Sequence, residues 1–474
     1  MQYISKKFFT GLFALSLAVT CAAPVQAEGL RLTFEKRLQM TQLTTGAAPS
    51  ASEQSVEQVV TIYPEAYSSR GGQSENIYDF KEKTFTVVNH SAKNYLVYPL
   101  QTVALMRSRD RLNRLGMKIS MYQQQASTAH IPTNILMQDV DIDMILGTES
   151  GNTTADKIRP QKDGEKTVYS DGKTPLAIVS ASTEAVPQTL RKAYALFVTY
   201  EFLMHPAIKK PLGAQSSVFK SLEYTNRDMF RNLAATHSWA LKNAARTEET
   251  APEIPEDYTR IYHSDSQLDA AFKQALEPFT FDPEAFQAEV RTLIDQNKYL
   301  VAFLRAQAVQ AMMAPKDVAA HQAAFATANR AAQNFERAAH LAIIQSPDTV
   351  TELRQYNDIL EKSKPRAGDL TGMLEYYMAM HTRNVLGRKQ ALTKSETEQL
   401  AATRGQFTEA IKKFPHLVKA YRQMGDIHFA ALEIPLAALY WSHLERIAPQ
   451  SESAKAGLAM LAQVEKDFPE YFLR

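Results

Sequence analysis

"NIYDFKEKTFTVVNHSAKNYLVYPL", Asn76 to Leu100, holds three short runs rich in Tyr, Phe, Val and Thr, broken at Lys81-Glu82-Lys83 and at His90-Ser91-Ala92-Lys93. Branched and aromatic runs of that length, parted by polar breaks, specify strands joined by tight turns. An antiparallel meander with one buried face suits them.

Working outward, the same period continues on both sides. "LRLTFEKRLQMTQ" from Leu30 alternates, and "EQVVTIYPEAY" follows after a loop of Gly, Ala, Pro and Ser. "MQDVDIDMILG", "KTVYSDGKTPLAIVSAS" and "SLEYTNRDMF" are further strand candidates. One helix is expected from Val186 to Met204, where apolar residues recur at helical spacing before His205-Pro206. The region from Leu30 to about Ser238 therefore reads as a sheet with a helix against it.

After the linker "ARTEETAPEIPEDYTRI" the period changes to that of helices. Pro283 to Met313 is amphipathic, and a second pattern begins near Pro315 with alanine dense enough for close packing. Gln355–Lys362, Leu370–Val385 and Ser395–Lys413 also read as helices, the last with Ser395 and Glu398 in a capping-box pattern. The fold class is α+β: an N-terminal antiparallel β-rich domain with a packed helix, then an all-α helical-repeat domain. The expected boundaries are 28–250 for the β-rich domain, 251–345 for a helical region of degenerate repeats, and 346–474 for the repeats proper.

Residues 1–27 stand apart. "MQYISKKFFTGLFALSLAVTCAAPVQA" has two lysines, an apolar run from Phe8 to Val19 and a small-x-small end at Val25-Gln26-Ala27, the pattern of a secretory signal peptide. The run is shorter than the about 20 residues a spanning helix needs. Cys21 raises the alternative of a lipid-modified cysteine, but Ala18-Val19-Thr20 lack a lipoprotein box's leucine and adjacent small residue. Cleavage after Ala27 removes the one cysteine, and with Lys6 and Lys7 gone the 53 basic residues fall to match the 51 acidic ones. That balance gives no long-range pull toward nucleic acid. No later segment is long and apolar enough to span a bilayer as a helix. The expectation is an exported, periplasmic protein of the bacterial envelope.

"AYRQMGDIHFAALEIPLAALYWSHLERIAP", Ala420 to Pro449, spaces small and aromatic residues as a helical hairpin requires. Gly425 and Ala437 mark the close approach of two backbones, Tyr421 and Trp441 fill space around it, and Pro449 ends the second helix. These positions, with Met424, resemble the tetratricopeptide repeat, a 34-residue helix-turn-helix unit. His428 stands where an aromatic is usual and Leu444 where a second alanine is usual. One period earlier, Pro415, Phe407 and Ala410 also match, with Thr403 in place of an alanine and the first helix displaced by "GRKQALTKSE". Ser453 to Lys466 reads as a capping helix. The resemblance implies non-catalytic binding of another envelope protein or peptide, on a face carrying Lys419, Arg422, Asp426 and Phe429.

The meander offers a second binding class. Asn76–Leu100 is similar in pattern to periplasmic lipoprotein carriers of the half-barrel kind, which implies a lipid held on a concave face lined by Phe85, Tyr95 and Tyr98. Catalytic signals are sparse. Asp139, Asp141 and Asp143 share a strand face on this reading, yet Met144 and Ser150 break a calcium-loop pattern. Ser217-x-x-Lys220 and Tyr224-x-Asn226 sit too close together for penicillin-binding enzymes, and no Lys-Thr-Gly follows. The 11 histidines are scattered without metal-ligand spacing. No catalytic residue, metal or cofactor is assigned; an envelope hydrolase remains only because acid-pair catalysis leaves no local signature.

Overall fold

The computed structural model describes residues 29–42, 52–125, 139–149, 154–172, 175–228, 233–277, 282–295, parts of 306–325, and 368–473 apart from 390 and 450. The expected signal segment, Cys21 and the expected helix Gln355–Lys362 lie outside the described residues.

The meander anticipated around Asn76–Leu100 is part of a larger sheet. Six strands lead in: β1 (Gly29–Gln42), β2 (Ser52–Ile62), β3 (Ala66–Gly71), β4 (Ser74–Asp79), β5 (Thr84–Asn89) and β6 (Asn94–Pro99). The polar breaks form two like turns. Asp79 Oδ1 accepts from the amides of Lys81 and Glu82, at 3.0 and 2.8 Å, and Asn89 Oδ1 accepts from that of Ala92 at 3.0 Å. Each turn closes on a lysine at positive φ, Lys83 and Lys93.

A helix not anticipated follows at once, α1 (Gln101–Gln125), and then α2 (Asp139–Leu146). The second corrects the strand expected from "DVDIDMIL". Alternation fits a strand, but Val140 to Met144 are all buried, which no half-exposed strand allows. Asp139 and Asp141 occupy the first helical turn, where the helix dipole favours carboxylates. Gly147, at φ +65°, ends the helix by donating to Asp143 O at 3.0 Å. The three aspartates therefore do not share a strand face.

A second meander comprises β7 (Arg159–Asp163), β8 (Lys166–Ser170) and β9 (Pro175–Ala185), then, after two helices, β10 (Ser217–Asp228) and β11 (Leu233–Thr247). The intervening helices are α3 (Arg191–Glu201) and α4 (Pro206–Gly213). His205-Pro206 begins α4 as well as ending the run before it: His205 is the N-cap and its side chain accepts from the Ala207 amide. Strand β1 pairs with both β2 and β11, so the two meanders join into one 12-stranded sheet, ordered β12-β6-β5-β4-β3-β2-β1-β11-β10-β9-β8-β7. The edge strand β12 (Thr259–Arg260) adds parallel to β6; every other pairing is antiparallel.

Helix α3 covers one face of this sheet. Phe197 meets Tyr67 edge-on at 5.5 Å, Tyr200 meets Tyr78 at 5.0 Å, and Phe202 just beyond meets Trp239 at 5.1 Å. The register aligns Tyr67, Tyr78, Phe85 and Tyr98 as a cross-strand aromatic row on that face. Tyr95 pairs with Val88, an odd step away, so it belongs to the opposite face. Phe85, Tyr95 and Tyr98 therefore cannot line one surface together.

The remaining helices are α5 (Ser266–Gln274), α6 (Pro283–Asp295), α7 (Pro315–Ala320), α8 (Gly368–Leu386), α9 (Lys394–Lys413), α10 (Val418–Ala430), α11 (Ile434–Ile447) and α12 (Glu452–Asp467). The cap of α9 is Thr393 with Glu396 rather than Ser395 with Glu398. Helices α8 to α12 pack successively, while α11 rests on β6 and α1, and α12 on α1. One hydrophobic core runs from Leu30 in β1 to Tyr471 at the C-terminal end. Tyr471 is fully buried: its hydroxyl donates to Leu146 O at 2.5 Å and accepts from Arg107 Nη1 at 3.0 Å.

Candidate functional site

A cavity of about 660 Å³ opens where the helix-covered face of β1, β10 and β11 meets α1, α2 and the turn between α10 and α11. Pleat alternation selects the sheet residues that face it: Met40 on β1, Asn226 on β10, and Ala235 and His237 on β11. Helix α1 contributes Met106, Arg107, Arg109, Asp110 and Arg114, and α2 contributes Asp141, Met144 and Ile145. Glu201 and Leu203 enter from the end of α3, and Leu432 and Ile434 from the helical turn.

Its rim is apolar and wet. Met106, Leu203 and Leu432 are 41%, 39% and 39% exposed, and all three line the opening. Leu432 also sits at φ +62°, a left-handed conformation that bulky residues avoid at a cost of about 1–2 kcal/mol. Strain of that kind tends to persist where a side chain must be presented in one direction.

The interior carries polar groups without full partners. Burial, aided by the Lys36 charge, pushes the His237 imidazole down to about 4, so it is neutral near pH 7; it stacks on Tyr224 at 4.7 Å. His237 Nδ1 and Asn226 Oδ1 are buried with no hydrogen-bond partner among the described residues. Burial also raises the Glu201 carboxyl, against the opposing pull of Lys36, whose Nζ lies 3.9 Å away. Arg109 lies 4.4 Å over the Phe429 ring, and its Nε is likewise buried without a hydrogen-bond acceptor. Arg114 pairs with Asp110 at 3.0 Å. Arg107 is held by the backbone oxygens of Thr199 and Tyr200 and by the Tyr471 hydroxyl. The described lining holds no Ser, Thr, Cys, Lys or Tyr, hence no hydroxyl, thiol or amine nucleophile.

One buried constellation outside the cavity has the residue types of a catalytic triad. Thr154 Oγ1 donates to Asp143 Oδ2 at 2.7 Å and lies 3.1 Å from His205 Nε2. The proton order is wrong for nucleophilic catalysis. His205 Nδ1 accepts from the Ala207 amide at 3.1 Å, so Nε2 carries the proton and cannot take one from Thr154. Burial pushes that imidazole down to about 4. The group ties α2 to α4. Among the described residues, no cluster of three metal-ligating side chains occurs.

The residues singled out in the repeat-like stretch are distributed as follows. Tyr421, Met424, Gly425, Ala437 and Trp441 are buried in α10 and α11, and Pro449 is exposed beyond α11. Lys419 is exposed. Arg422 is bonded to Asp426 at 2.8 Å, and Phe429 lies between Arg109 and Trp441, 5.5 Å from the latter ring. Lys220 points to solvent beside the buried Val218 and Phe219, and no hydrogen bond joins it to Ser217 among the described residues. Tyr98 lines a second cleft of about 490 Å³ between β5–β6 and helices α11 and α12.

The cavity residues come from distant segments and were missed by sequence reasoning. Asn226 and Asp141 were noticed for other reasons, and α1 was not anticipated at all. Fold and site together describe a helix-covered antiparallel sheet with a mixed-polarity cavity. No family model matches the sequence, and no curated protein matches it. Among solved structures, one titled "Lipid-protein interactions in lipovitellin" is similar at 9% identity and a TM-score of 0.16. The match covers 93% of this chain and 56% of that one, so this chain spans about half the length of its neighbour. A likeness that slight carries no argument about function. No helix among the described residues is long and apolar enough to cross a membrane.

Proposed function

We propose that this chain is a non-catalytic binding protein that holds an amphiphilic small molecule in the cavity between the sheet and α1, α2 and the α10–α11 turn. The observation that carries this is the joint occurrence of an exposed apolar rim and buried polar atoms lacking partners in one cavity of about 660 Å³. That volume lies within the ordinary range for small-molecule sites, roughly 300–1,000 Å³. A periplasmic location, after export by Met1–Ala27, belongs to the same proposal and rests on the sequence pattern alone.

Docking of a protein partner on Lys419, Arg422, Asp426 and Phe429 is the weaker reading, because three of those four side chains already have intramolecular partners. The test is saturable binding of a polarity-sensitive dye, and its displacement by amphiphiles, in the full chain and in Leu203→Trp and Leu432→Trp rim variants. Both substitutions fall at exposed positions and should leave the fold intact. Saturable binding weakened by either bulky rim residue supports the proposal. Absence of saturable binding, or binding indifferent to both variants, overturns it.

A further inference from the structure

We infer that the ligand bears an anionic head, a carboxylate or a phosphate monoester, on an aliphatic tail, and that Arg109 receives the head. This rests on the cavity being a ligand site, as proposed above.

Cations outnumber carboxylates around the cavity. Four arginines line it against three carboxylates. Two of the four are committed, Arg114 to Asp110 and Arg107 to backbone oxygens and the Tyr471 hydroxyl. Among the described residues, Arg109 has the Phe429 ring beneath it and a buried Nε without an acceptor. Arg227 follows Asn226 on β10, so its side chain belongs to the opposite face of the sheet.

The carboxylates do not answer Arg109. Asp110 is taken by Arg114, Glu201 has Lys36 at 3.9 Å and a carboxyl raised by burial, and Asp141 lies in the first turn of α2. A half-buried guanidinium over an aromatic ring keeps its planar fork of donors, which matches two oxygens of a carboxylate or phosphate better than any uncharged group.

The rest of the wall suits a tail. Met40, Met106 and Met144, with Leu203 and Leu233, present unbranched or flexible side chains that adapt to a chain of no fixed shape. Such a wall adds affinity by length: each buried methylene tightens binding about fourfold. An aliphatic cation would meet Arg109 with like charge, and an aliphatic alcohol would leave it unsatisfied.

The experiment is calorimetric titration of the full chain with dodecanoate, dodecyl phosphate, dodecanol and dodecyltrimethylammonium, each below its aggregation limit, with inorganic phosphate as a head-only control. Both anions should bind at least about tenfold more tightly than the alcohol and the cation, as charged hydrogen bonds imply. Arg109→Met should reduce that preference by about tenfold, whereas Arg109→Lys, which keeps the charge, should reduce it less. If dodecanol or the cation binds as tightly as the anions, or if Arg109→Met keeps the preference, the anionic head is wrong and the cavity reading stands. If none of the four binds, the cavity reading itself fails. Dodecanoate and dodecyl phosphate, compared directly, decide which head the site takes.

Discussion

Replacing Gly425 by alanine should destabilise the C-terminal helices, although the same change in an ordinary helix interior stabilises by roughly 0.5–1 kcal/mol. The reason is the indole of Trp441. A β-carbon at position 425 would fall 2.5 Å from Trp441 Cδ1 and closer still to Nε1, and one at Gly457 would fall 2.9 Å from Cγ. The five-membered ring is thus gripped between glycines on α10 and α12, and no flexible side chain can yield. Overpacking of this kind costs about 1–3 kcal/mol, which outweighs the helix-propensity gain and leaves a net loss of roughly 1–2 kcal/mol. Trp441→Val has no atom beyond Cγ and so removes the Cδ1, Nε1 and Cε2 that would collide, the Nε1 being buried without a partner among the described residues. In that background Gly425→Ala should become neutral or stabilising. Urea unfolding of the four proteins of the cycle, followed by circular dichroism, measures the coupling, expected at about 1–3 kcal/mol, the overpacking cost itself. Equal, stabilising effects of Gly425→Ala in both backgrounds would refute the contact.

Three further outcomes follow from the same geometry. Tyr471→Phe should cost about 1–3 kcal/mol, because it strips a donor from Leu146 O and an acceptor from the buried Arg107; an unchanged urea midpoint would contradict this. Stability should fall on acidification, because burial holds His205 and His237 down to about 4 and His443 to about 3, whereas unfolded histidine titrates near 6.5. Between about pH 6.5 and 4 the unfolded chain binds protons that the folded chain refuses, so the midpoint should drop through that window and drop less in His443→Phe. Leu432→Asn should stabilise the α10–α11 turn by up to about 1 kcal/mol, since asparagine tolerates left-handed backbone, yet weaken ligand binding. A variant that binds as tightly as the parent would show that the strain serves no ligand.

The meander was legible because its turns are written locally: Asp79 and Asn89 each bond the amides that follow, and lysine closes each turn. Helix α2 was misread because "DVDIDMIL" alternates as a strand does, while the all-round burial that decided otherwise is tertiary. Its local signals, carboxylates in the first turn and Gly147 after the last, were present but weaker than the period. At α9 two overlapping capping boxes compete, and a choice between Thr393 and Ser395 depends on where the preceding loop delivers the chain. Gly425 was read as a place of close approach; the neighbour it accommodates is the Trp441 ring. The cavity was illegible, since it needs β1, β10, β11 and α1 brought together by the β1–β11 pairing, which joins residues some 200 positions apart.

The decisive observation is where a ligand sits. Methyl spectra of the protein labelled at methionine, titrated with dodecanoate, test this directly. Met40, Met106 and Met144 line the cavity, whereas Met373, Met378 and Met424 are buried in the C-terminal helices away from it. Saturable shifts at the first three, with the second three unmoved, are the expected result. Binding that moves the second set and leaves the cavity methionines still would contradict it.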